Sequence, residues 1–148
     1  MNVKELSEGD YVSYGGKYVF PVEHICWDGT VCPDPKNPRF GLPNRITPDC
    51  IDPIRLTPKI LEANGFSLLH GYWHKDMKLR GRTYFASYHY SKDADRCILM
   101  VGDIDREVFN FRINRVAYVH VLQRLLRICG IDERLEVTDD MVRDTEGD

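Results

Sequence analysis

All eight prolines fall between Pro21 and Pro58, which makes the first third of the chain rich in loops and strands. It offers a series of short extended runs between turn signals. Asp10-Tyr11-Val12-Ser13-Tyr14 reads as a strand, and Gly15-Gly16 as a two-residue hairpin turn. Lys17 to Cys26 returns as a longer strand, with Pro21 marking an edge or a bulge. Asp28-Gly29 supplies a second turn before Thr30-Val31-Cys32. Residues 33–44 hold Pro33, Pro35, Pro38, Gly41 and Pro43, a loop long enough to act as a binding element. Extended structure resumes at Arg45-Ile46 and Cys50-Ile51. This pattern predicts a small SH3-like antiparallel barrel or sheet over residues 1–55.

The second region, residues 56–131, reads differently. Thr57 is a helix N-cap and Pro58 occupies the first helical position. Gly65 ends that short helix in a left-handed cap, and Phe66 packs just beyond it. Residues 66–112 form an antiparallel meander, with expected strands at 66–74, 83–90, 97–101 and 106–112. Tyr84, Ala86, Tyr88 and Tyr90 alternate with Phe85, Ser87 and His89, which makes one face aromatic. A helix from Asn114 to Cys129 carries Tyr118, Leu122, Leu125 and Cys129 on one stripe and stops at Gly130. It is expected to pack across the aromatic face. The fold class is therefore α+β, and residues 132–148 read as an acidic, disordered tail.

No apolar run is long enough for a transmembrane helix, and the first eight residues lack the apolar core of a signal peptide. Five cysteines, an odd number without a secretory signal, point to reduced thiols and a cytoplasmic location. The net charge of -3 hides a split: residues 1–65 carry -2, residues 66–131 carry +5 and residues 132–148 carry -6. A basic body with an acidic tail is the charge pattern that bears on function.

Two stretches occur together in a recognisable order. Residues 53–66, Pro53-Ile54-Arg55-Leu56-Thr57-Pro58 through Gly65-Phe66, follow the pattern PIxLTxxxLxxxGF. Residues 118–125, Tyr118-Val119-His120-Val121-Leu122-Gln123-Arg124-Leu125, follow YVHxLQxL. The pair resembles a family of short uncharacterised proteins from Bacteroides-type bacteria, their phages and mobile elements. Leu6 to Val12 looks like that family's opening LRxGNxV, with Asp10 in place of Asn. The resemblance implies a fold and a genomic setting, and no activity. The Pro-rich loop and the acidic tail depart from the family core.

The residues themselves support three classes of function. The first is a non-enzymatic protein-binding or adaptor role, with protein as partner. Its surface is the small sheet and the loop around Phe40 and Leu42; His120 and Gln123, the polar part of the second pattern, read as structural hydrogen-bonding residues or as a partner contact. The second is a nucleic-acid-binding accessory role. Tyr72, Trp73, Lys75, Lys78, Arg80 and Arg82 join cations for phosphates to rings for unstacked bases. The same residues also read as core aromatics beside a solvated hairpin loop. The third is a metal-dependent hydrolase built on His70, His74 and His89. His24, Cys26, Cys32 and Cys50 lie close in sequence but lack the knuckle spacing of zinc ligands, so the cysteines read as ordinary buried thiols. Asp103, Asp105 and Glu107 alternate as a cation site or as a solvated hairpin rim. No catalytic motif and no cofactor motif is present.

Overall fold

In a computed structural model the described residues are 6–34, 41–91, 96–104, 108–113, 118–128, 130–131 and 135–143, with backbone alone at 96 and 108–113. They form an α+β protein with antiparallel sheets and few helices. The chain divides into two units, Met1–Ile54 with Val137–Asp148, and Arg55–Glu136.

The first unit holds five short strands: β1 Tyr11–Tyr14, β2 Tyr18–Pro21, β3 His24–Ile25, β4 Val31–Cys32 and β5 Ile51–Pro53. One sheet has the order β2-β1-β5, and β3 pairs with β4 in a separate hairpin. The return strand expected from Lys17 to Cys26 is broken at Pro21, whose missing N–H ends β2 at a sheet edge. A 3-10 turn, Pro48–Cys50, leads into β5. Leu6, Val12, Phe20, Val22, Val31, Ile46 and Ile51 form the core, with Tyr14, Ile25 and Leu42 packed against it. Gly41 lies so close to Tyr18 that a Cβ there would sit 3.0 Å from the tyrosine Oη.

The tail supplies the last element of this unit. Helix α3, Asp139–Arg143, sets its Asp139 carboxylate 2.8 Å from the Val19 N–H, and the Arg143 guanidinium lies 5.7 Å over the Tyr18 ring. Residues 135–143 are thus not the disordered stretch expected. The reason lies in Leu135 and Val137, both buried, and in a carboxylate that satisfies an edge-strand donor.

In the second unit the caps fall where the sequence puts them. Helix α1, Pro58–Ala63, starts with Thr57 Oγ1 accepting from the Ile60 N–H. It ends in a Schellman motif: Gly65 at φ 85°, Gly65 N–H to Glu62 O, and Phe66 N–H to Leu61 O. Helix α2, Val119–Ile128, ends the same way, with Gly130 N–H to Arg127 O and Ile131 N–H to Leu126 O. It begins later than expected, because Tyr118 pairs with Arg55 in a β-bridge while its carbonyl accepts from Val121 and Leu122. Asn114 lies outside the described residues.

The meander is a five-stranded sheet in the order β10-β9-β8-β7-β6. Its strands are β6 Ser67–Leu69, β7 Tyr72–Leu79, β8 Arg82–Ser91, β9 Arg96–Asp103 and β10 Val108–Ile113. The single strand expected at 66–74 is in fact a hairpin. His70 and Gly71 turn it at φ 52° and 84°, and Arg80 and Gly81 make the next turn at φ 51° and 76°. Both are two-residue turns with positive φ at both positions, a conformation that non-glycine residues seldom adopt. His74-Lys75-Asp76 therefore lies within β7 and not in a turn. Ala86, Tyr88, Leu99 and Val101 face one another across β8 and β9 and are buried, so the aromatic face is the covered one.

Asn64 joins the two ends of this unit. Its carboxamide nitrogen donates to Ile60 O and Glu136 O, each at 2.8 Å, and its oxygen accepts from Glu136 N–H at 2.6 Å. Asn64→Ala leaves the Glu136 N–H and C=O to find other partners, while Ile60 O keeps the Asn64 backbone N–H. The expected loss is about 1–3 kcal/mol of unfolding free energy, read from the denaturant midpoint at unchanged slope. A change below about 0.5 kcal/mol, within the range of an ordinary surface substitution, contradicts the staple.

Candidate functional site

The described surface of the first unit carries one outstanding residue. Trp27 is 96% exposed at the tip of the β3–β4 hairpin. The tip has defined geometry. Asp28 Oδ1 accepts from Thr30 N–H at 3.0 Å and from Thr30 Oγ1 at 2.7 Å. Cys26 N–H donates to Thr30 O, Gly29 N–H donates to Cys26 O, and Gly29 sits at φ 87°. Below the tip, the Val31 and Ile46 backbones exchange two hydrogen bonds of 2.8 Å. That bridge brings Arg45 beside the hairpin.

The hairpin also brings together two thiols that were read as separate and buried. Cys26 Sγ lies 3.3 Å from Cys32 Sγ, and both residues are partly exposed. An Arg45 nitrogen lies 3.6 Å from Cys26 Sγ. Hydrogen bonding from Thr30, then from Cys32, with Arg45 adding its charge, holds the Cys26 thiol below its ordinary value. Burial first, and then Cys26 itself, pushes the Cys32 thiol up. His24, the register partner of Cys32, lies 3.6 Å from Glu8, both largely exposed. The pairing was not foreseen because the two cysteines meet diagonally across a hairpin, a contact that sequence spacing does not announce.

The basic–aromatic band in the second unit is divided by the pleat. Register places Trp73 and Lys75 on the face of Tyr88 and Ala86, while Tyr72 and Lys78 lie on the other. Trp73 is half-buried, and Lys75 Nζ donates to the Asn64 carbonyl at 2.7 Å. Lys78, Arg80 and Arg82 are exposed at the β7–β8 turn. On the wetter face Tyr72 lies 4.9 Å from the His89 ring, and His74 stacks on Phe85 at 5.9 Å.

The three histidines do not converge. His74 Nε2 lies 2.8 Å from Asp76 Oδ1, His89 Nδ1 donates to the Gly71 carbonyl, and His70 forms a turn. Among the described residues no group of three or more His, Cys, Asp or Glu side chains could hold a metal ion. Asp103 is buried on β9, and Asp105 and Glu107 lie outside the described residues. On the covered face burial drives the Tyr88 phenol well up, with Cys97 Sγ 3.8 Å away.

The expected contact residues are mostly internal. Leu42 packs on the core, and Phe40 lies outside the described residues. His120 and Gln123 are each 4% exposed, so they are not a surface patch. His120 stacks on Tyr118 at 5.8 Å. The pattern's polar residues sit on a helix that buries them together with Val119, Leu122, Leu125 and Leu126.

The thiol environment has a direct consequence. As pH rises, iodoacetamide should label Cys26 at a lower pH than Cys32, since the thiolate is the reacting form. Arg45→Gln should move both curves upward, because its hydrogen bonds and charge lower both thiols. Peptide mapping across a pH series measures both; a single shared curve for the two thiols contradicts the assignment. No family model, no curated protein and no solved structure matches the chain.

Proposed function

We propose that the chain is a non-enzymatic protein-binding or adaptor module whose anchor is Trp27. The observation that carries this reading is a tryptophan left 96% exposed on a hairpin whose tip is fixed by its own hydrogen bonds. Tryptophan is enriched among the residues that dominate interface energies, and an exposed one gains most when a partner covers it. The ordering cost has largely been met by the folded tip.

The same reading takes the first unit as an SH3-like barrel. Support comes from five short strands, with β1 pairing to both β2 and β5, and a 3-10 turn just before the last. It takes α2 as packing over the aromatic face of the meander, supported by six buried helical residues and by the approach of α2 to β9. A phage or mobile-element setting rests on the two sequence patterns, and a cytoplasmic location on the cysteine usage. No helix among the described residues is long and apolar enough to cross a membrane.

A second reading, nucleic-acid binding, is favoured by one observation, the exposure of Lys78, Arg80 and Arg82 on one turn. The separation of Tyr72 and Trp73 onto opposite faces weakens the stacking half of that reading. The separate environments of His70, His74 and His89 remove the geometric support for a hydrolase.

Affinity capture from host cells, analysed for protein and for nucleic acid, separates these. Trp27→Ala should cost about 2 kcal/mol or more of binding to the captured protein. It should leave the unfolding midpoint within about 0.5 kcal/mol, as expected of an exposed side chain. Equal retention by both proteins contradicts the role of Trp27. Recovery of nucleic acid that is lost on neutralising Lys78, Arg80 and Arg82 favours the second reading.

A further inference from the structure

We propose that Cys26 and Cys32 form a thiol–disulfide exchange site, with Cys26 as the attacking sulfur, Cys32 as the resolving sulfur and a low-molecular-weight disulfide as substrate. Three observations support it. The sulfurs are 3.3 Å apart, so closing to a disulfide bond of ~2.05 Å asks for about 1.2 Å of approach. Rotation of two partly exposed side chains can supply this. The site is also charged for the purpose: Arg45 stands 3.6 Å from Cys26 Sγ, and the Val31–Ile46 backbone bridge holds the neighbouring residue in place. Finally, none of this recurs at the other described cysteines. Cys97 is buried beside Tyr88, and the exposed Cys50 thiol accepts from Thr47 Oγ1 at 3.5 Å.

The two sulfurs are suited to different steps. The Cys26 thiolate attacks a disulfide R–S–S–R, forming a mixed disulfide and releasing RS⁻, which takes up the proton that Cys26 gave to solvent. Cys32 then loses its proton and attacks Cys26 Sγ, displacing the second RS⁻, which is protonated in turn. Two thiols of the chain become one disulfide, and one disulfide of the substrate becomes two thiols. The attacking sulfur has the lowered pKa and the resolving one the raised pKa, an order that favours attack by Cys26 first. Arg45 stays beside Cys26 throughout and stabilises its thiolate when it leaves in the reverse reaction.

This inference is independent of whether Trp27 binds a partner, and its test reads sulfur chemistry alone. The full chain, reduced and freed of reductant, is treated with excess glutathione disulfide and followed by intact mass and peptide mapping. Wild type should lose two hydrogen atoms through a Cys26–Cys32 bond with no glutathione accumulating on either residue, and dithiothreitol should reverse this. Cys32→Ser should trap a stable glutathione adduct on Cys26. Cys26→Ser should slow modification of Cys32 on the order of tenfold. The proposal is overturned if wild type accumulates the adduct at either cysteine, if the two thiols survive untouched, or if both serine variants react at one rate. The wild-type map alone decides the question should a variant fail to fold, and modification at Cys50 is resolved by its own peptide.

Discussion

Two backbone hydrogen bonds between Val31 and Ile46 decide what the first unit can present. Strands β3 and β4 are two residues each, far too short to stand as an isolated hairpin. Val31 and Ile46 are almost fully buried and belong to the core with Val12, Phe20, Val22 and Ile51. Their bridge transfers the rigidity of that core to the hairpin. Trp27 is displayed because of it, Arg45 reaches Cys26 because of it, and the two thiols meet above it. Burial of two aliphatic side chains contributes on the order of 2–3 kcal/mol each, which is the scale of the anchor.

What the sequence made legible is local chemistry. Thr57, Pro58, Gly65 and Phe66 are a cap, a start, a stop and a packed residue, and each is where the residue types require it. Gly130 and Ile131 repeat the same ending on α2. The alternation at Tyr84, Ala86, Tyr88 and Tyr90 identified the covered face of the sheet correctly. These features depend on neighbours in sequence, and so a sequence carries them.

The failures share a different cause. His70 occupies positive φ in a two-residue turn where Asn, Asp or Gly is usual, and so one hairpin was hidden inside an apparently continuous strand. One hidden turn shifts the pleat, and with it the division of Tyr72, Trp73, Lys75 and Lys78 between faces. A band that looked contiguous as text is therefore split in space. His120 and Gln123 could be read as structural residues or as a partner contact, and their burial on α2 removes the second. The docking of Asp139 on Val19 and the clasp of Asn64 on Glu136 span distant segments, and no local pattern encodes them.

The candidate site thus belongs to tertiary structure. Trp27, Cys26, Cys32 and Arg45 are separately unremarkable residues, brought to one hairpin by a bridge to the core. Amide hydrogen exchange at Val31 and Ile46 tests that central dependence directly. Both amides should exchange as slowly as the core-strand amides of Val12 and Phe20, opening only with the unit as a whole. Exchange as fast as at an exposed turn such as Gly41 would show that the hairpin is not held by the core, and would contradict the account.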